Sequence, residues 1–77
     1  MRALILRAHY NDHTEESRVT SEDDPCGMFV AGHFLEVRWP SPQEATVNVE
    51  GKDVRIAPAG TTEFTFIGVR VQATFAR

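Results

Sequence analysis

Apolar side chains in this chain recur at every second position, in short runs that glycine and proline interrupt. Within residues 2–9, Leu4, Leu6 and Ala8 fall on one side, and Ile5, Arg7 and His9 on the other. Residues 45–57 keep the same beat: Ala45, Val47 and Val49 alternate with Thr46, Asn48 and Glu50, and Val54 and Ile56 resume it. A period of two belongs to a β-strand that buries one face. No heptad, internal repeat or low-complexity tract accompanies it. The expected class is therefore all-β: a small antiparallel sandwich or partly open barrel of about six strands.

The runs between these segments refine the picture. Residues 28–39 form the longest apolar stretch, with His33, Leu35, Val37 and Trp39 on one face and Phe34, Glu36 and Arg38 on the other. Gly32 lies inside it, where glycine marks a bulge or a close backbone approach; two short strand pieces bent at Gly32 are expected. Pro40-Ser41-Pro42 then stops the strand. Gly51-Lys52 reads as a two-residue turn, and glycine in its first position suits a type II′ hairpin. Pro58-Ala59-Gly60 makes the next turn. Residues 62–67 and 69–75 are rich in β-branched and aromatic side chains, with a change of parity at Gly68 that a bulge or sharp bend would accommodate. The expected core is Leu4, Leu6, Leu35, Val37, Val47, Val49, Val54, Ile56, Phe64, Phe66, Val71 and Phe75.

Charge is distributed unevenly. Residues 11–27 hold six acids (Asp12, Glu15, Glu16, Glu22, Asp23 and Asp24) against Arg18, a balance of −5. The other 60 residues hold seven bases and five acids, or +2, which gives the chain's −3. Thr14 with Glu15 and Glu16 has the composition of a helix start, but Val19 alone supplies no apolar stripe. The stretch is read as one flexible, acidic loop, closed by the turn Asp24-Pro25-Cys26-Gly27.

Seventy-seven residues make one domain, spanning 1–77. Hydrophobic content of 42% and charged content of 25% are ordinary for a globular protein. A single cysteine, Cys26, excludes an intrachain disulfide and suits a reducing compartment. The N-terminus has too short an apolar run for a signal peptide, and no run approaches the roughly 20 residues of a membrane span. A cytoplasmic location is expected, a host cell's cytoplasm or an assembled particle included.

No segment declares a chemistry. His9, Asp12 and His13, with Cys26 and His33, are the nearest approach to a metal cluster, but their spacing follows no ligand signature. No metal or cofactor is expected. A nucleophile elbow and a phosphate-cradling glycine loop are both missing, and acids beside Cys26 disfavour its thiolate, so the chain is not expected to be an enzyme. Among Ser17, Thr20 and Ser21, the segment Ser21-Glu22-Asp23-Asp24 is the type of sequence acidophilic kinases accept, yet serine and threonine are ordinary loop residues. Arg2, Arg7, Arg38, Lys52, Arg55, Arg70 and Arg77 sit at alternating strand positions and read as the solvent face of a sheet.

The expectation that remains is a non-catalytic protein-interaction module, of the size of an inhibitor or adaptor encoded by a phage or other mobile element. Its binding residues are expected to be Asp12, Glu15, Glu16, Glu22, Asp23 and Asp24, meeting a basic protein surface, with Phe34 and Trp39 as aromatic anchors. Neither direct nucleic-acid binding nor a membrane is expected, and the chain is a monomer or small homo-oligomer. The alternatives are a self-assembling structural or virion accessory subunit and a metal- or small-molecule-binding protein.

Overall fold

Period-two patterning resolves into eight strands and no helix in a computed structural model that describes all 77 residues. They are β1 (Ala3–His9), β2 (Thr14–Thr20), β3 (Gly27–Val30), β4 (His33–Ser41), β5 (Glu44–Val49), β6 (Lys52–Arg55), β7 (Thr61–Phe66) and β8 (Val69–Phe75). Two four-stranded antiparallel sheets result, in the orders β2-β1-β8-β7 and β3-β4-β5-β6. The first sheet joins the two ends of the chain, and the middle of the chain supplies the second. They pack face to face as an open sandwich.

The core fills the space between the sheets. Leu4, Leu6, Ala8, Val71 and Ala73 from the first sheet meet Val30, Leu35, Val37, Ala45 and Val47 from the second, all buried. Leu6 lies opposite Ala73 and Ala8 opposite Val71, so large and small side chains alternate across the central strand pair, as interdigitating layers require. Of the expected core, Val49 and Phe64 are half-buried against this cluster and Val54 is half-exposed. Val19, Met28, Val30 and the four buried alanines, Ala3, Ala8, Ala45 and Ala73, lie outside that expectation.

Three local expectations are corrected. The acidic stretch 11–27 is not one loop: its middle is strand β2, paired along its whole length with β1 from Ala3↔Thr20 to His9↔Thr14. Val19 is its one buried side chain, so backbone pairing rather than burial holds the strand in place. The bend at Gly32 is a full reversal, with β3 and β4 paired across Ala31-Gly32. The parity change at Gly68 is likewise the hairpin Ile67-Gly68, joining β7 to β8. Strand β2 and the division of 28–39 into β3 and β4 raise the count from about six to eight.

The fifth strand's turn also shifts by one residue. Val49↔Lys52 is the closing pair, so the turn is Glu50-Gly51, not Gly51-Lys52. Both of its residues have positive φ, 50° and 92°, which makes it type I′ rather than II′. Ala31-Gly32 and Ile67-Gly68 share that geometry. All three tips lie at one end of the sandwich together with residues 10–13. The registers set Ile67-Gly68 beside the β1–β2 connection and Glu50-Gly51 at the end of the β3–β4 turn. Tyr10 Oη joins the two sheets there by accepting a hydrogen bond from the Ala31 N–H at 3.0 Å.

Candidate interaction surface

The six acids are not equally free. His13, in the β1–β2 connection, lies between two of them: Nδ1 is 2.7 Å from Asp12 Oδ1 and Nε2 is 3.2 Å from Glu15 Oε2. Its ring stacks on Tyr10, with centroids 4.8 Å apart and planes 15° from parallel. Donating to Asp12, and next to Glu15, raises the imidazole's pKa above its ordinary 6.5, and the contact with His13 lowers that of Asp12. Glu16 Oε2 accepts from Arg7 Nε at 2.7 Å across the β1–β2 pair. Asp23 Oδ2 accepts from the Thr20 N–H at 2.7 Å and shapes the turn after β2. Glu22 and Asp24 remain, exposed and without a side-chain partner. They stand in the β2–β3 connection, which carries a cis Asp24–Pro25 bond.

That connection leads directly into β3 and an aromatic pair. Phe29 on β3 and Phe34 on β4 are opposite one another and pack edge to face, centroids 5.1 Å apart at 67°. Phe29 is 66% exposed on the outer face of the second sheet, while Phe34 is half-buried. Gly27 explains the difference. A Cβ there would lie 1.9 Å from the Leu35 carbonyl oxygen and 3.1 Å from the Phe34 ring. Phe34 therefore covers bare backbone, and glycine, at a φ of 145°, is required beneath it. Phe29 has no such cover.

Trp39 points the other way. It shares the inward face of β4 with Leu35 and Val37 and is half-buried, edge to face with Phe75 at 6.2 Å. Its indole Nε1 donates to Cys26 Sγ at 3.3 Å, and that thiol donates to the Thr20 carbonyl. Burial pushes the Cys26 thiol up, with Asp23 and Glu36 adding to the effect and the indole bond opposing it. This end of the sandwich is closed further by Arg2, whose guanidinium lies 3.8 Å over the Phe75 ring and donates to the Pro58 carbonyl. A shallow cleft of about 470 Å³ beside it is lined by Pro58, Gly60, Thr61, Thr74 and Arg77.

The other residues singled out in the sequence are dispersed. His9 Nε2 is 2.7 Å from Gln72 Oε1 on the outer face of the first sheet, His33 follows the β3–β4 turn, and Cys26 is at the opposite end. No group of three or more His, Cys, Asp or Glu is arranged to hold a metal ion. The arginines form no stripe: Arg7, Arg38 and Arg70 pair with Glu16, with Glu36 and Asp53, and with Glu63. The structure thus brings Phe34 to the acidic turn's side of the sandwich and turns Trp39 toward the core, half-buried against it. Phe29 escaped the sequence reading. The signal was the Ala31-Gly32 dipeptide: read as a hairpin tip, it puts Phe29 and Phe34 in register. No family model matches the chain, and neither does any curated protein or solved structure.

Proposed function

We propose that the chain is a non-catalytic protein-interaction module, an inhibitor or adaptor in role, that binds a polypeptide partner along its β2–β3 side. The supporting observation is Phe29, a large aromatic side chain two-thirds exposed at a sheet edge with an aromatic neighbour. Such a side chain gains most from water on burial under a partner, and aromatic residues are enriched at binding hot spots. Glu22 and Asp24, the two acids without a partner, precede the strand that carries it. They supply negative charge that steers a basic surface toward the aromatic pair. The free, half-buried Cys26 thiol fits a reducing cytoplasm.

The test is affinity capture from cells that produce the protein, with the wild-type chain and two variants. Phe29→Ser is expected to lose the partner at least tenfold, about the worth of one hot-spot side chain. Glu22→Lys with Asp24→Lys is expected to slow association and weaken its salt dependence. Asp23 is left intact because it holds the turn. Equal capture by wild type and Phe29→Ser rejects this surface.

A further inference from the structure

Four strands end a sheet, and three of them are defended against a further strand. β2 carries Glu15, Glu16 and Arg18. β6 is four residues long, with Lys52, Asp53 and Arg55. β3 is also four residues long and starts at the crowded Gly27. β7 differs: Thr61-Thr62-Glu63-Phe64-Thr65-Phe66 is six residues of β-branched and aromatic side chains with one charge and no proline. Short length, charge and proline are the devices that blunt an edge, and β7 has one acid.

The turn next to β7 decides which of its backbone groups are free. Ile67 and Gly68 have φ of 48° and 74°, the type I′ geometry, and such a turn makes its closing pair, Phe66↔Val69, hydrogen-bonded. Bonding alternates along an antiparallel pair. Phe64 and Thr62 therefore also bond to β8, and the N–H and C=O of Thr61, Glu63 and Thr65 point away from it. None of the loop or turn hydrogen bonds uses them, and the contacts of these residues elsewhere are made by side chains.

We propose that β7 pairs antiparallel with β7 of a second copy, joining the two first sheets into one eight-stranded sheet. The chain is its own complement in one register. Continuity of the sheet requires outward side chains opposite outward ones, and the free groups require hydrogen-bonded pairs among residues 61, 63 and 65. Centring on Glu63 sets two carboxylates against each other, which is unfavourable. Centring on Phe64 sets Glu63 opposite Thr65 of the second copy, whose own cross-strand neighbour is the cationic Arg70. Phe64 then faces Phe64 in a non-hydrogen-bonded pair, where side chains approach most closely. Wider displacements shorten the overlap. This surface is separate from the β2–β3 side and does not depend on the function proposed for that side.

Sedimentation of the purified chain over a range of concentrations reads the pairing. The wild type should form a weak, concentration-dependent dimer, since one strand pair is a small interface. Thr65 is exposed, so its variants are expected to fold; circular dichroism checks that. Thr65→Lys places a cation opposite Glu63 of the second copy and should tighten the dimer roughly two- to thirty-fold, two symmetry-related pairs contributing. Thr65→Glu should loosen it by a similar factor. Within the hairpin the signs reverse, because Thr65 faces Arg70 of its own chain. A shift in monomer stability therefore cannot imitate the result. A wild type that stays monomeric up to about 1 mM, or two variants that shift the dimer alike, overturns the proposal.

Discussion

His13 shows how much of this chain's acidity is spent internally. Its two ring nitrogens face Asp12 and Glu15, and only the protonated ring donates from both. The folded pKa of His13 lies above 6.5 and that of Asp12 below 3.8. The raised imidazole contributes stability in full below 6.5, and that contribution disappears as pH rises through the folded value. The lowered carboxyl contributes above 3.8 and loses its contribution as pH falls through its own folded value. Both are present together between 3.8 and 6.5. Every group is at the surface, so the effect belongs in a titration rather than an unfolding curve. Following the His13 ring protons by NMR against pH, we expect Asp12→Asn to move its midpoint down, with a smaller downward step for Glu15→Gln. A midpoint indifferent to Asp12→Asn means that the imidazole is not held there.

At the level of elements, three hairpins turn on the pattern X-Gly with a non-glycine residue at positive φ: Ala31, Glu50 and Ile67. Ile67 is the most strained, since a β-branched side chain rarely adopts that backbone, and it is 37% exposed. Ile67→Asn keeps the turn and puts there a residue that tolerates the left-handed region. It should stabilise the domain by about 0.5–1 kcal/mol, or roughly 4–8 °C per kcal/mol in melting temperature for a chain of this size. A lower melting point would show that the isoleucine side chain repays its strain by packing. These same turns mark where the sequence was hard to read. The strands of β1, β5, β7 and β8 announce themselves by alternation, but Ala31-Gly32 and Ile67-Gly68 lack the Asn-Gly or Asp-Gly that signals a type I′ reversal. Hence Met28–Trp39 reads as two strand pieces bent at Gly32 rather than as a reversal, and that reading does not set Phe29 opposite Phe34. β2 was hidden for another reason: an edge strand that buries only Val19 carries no apolar pattern to detect. Phe34 was legible as an outward aromatic residue; which acids stay free was not, because partners from other strands decide it.

For the whole molecule, the two sheets share a single core and no disulfide. A domain this small has about 5 kcal/mol of stability to lose. Leu35 of the second sheet is fully buried in the cluster that also contains Leu4, Leu6 and Val71 of the first. Neither sheet has a core of its own: each presents one apolar layer, and the layers are useful only to each other. Leu35→Ala removes part of one layer and leaves a cavity against the other, at a cost of about 2–5 kcal/mol. The loss is comparable to the total, so the variant should be largely unfolded at 37 °C or close to it, with a urea midpoint far below that of the wild type. Because the layers are interdependent, amide exchange should accelerate by the same factor at Leu6 in β1 as at Val37 in β4, although the substitution lies in β4 alone. If β1 keeps its protection while β4 loses it, the first sheet persists without the second, and the sandwich is two weakly coupled units rather than one.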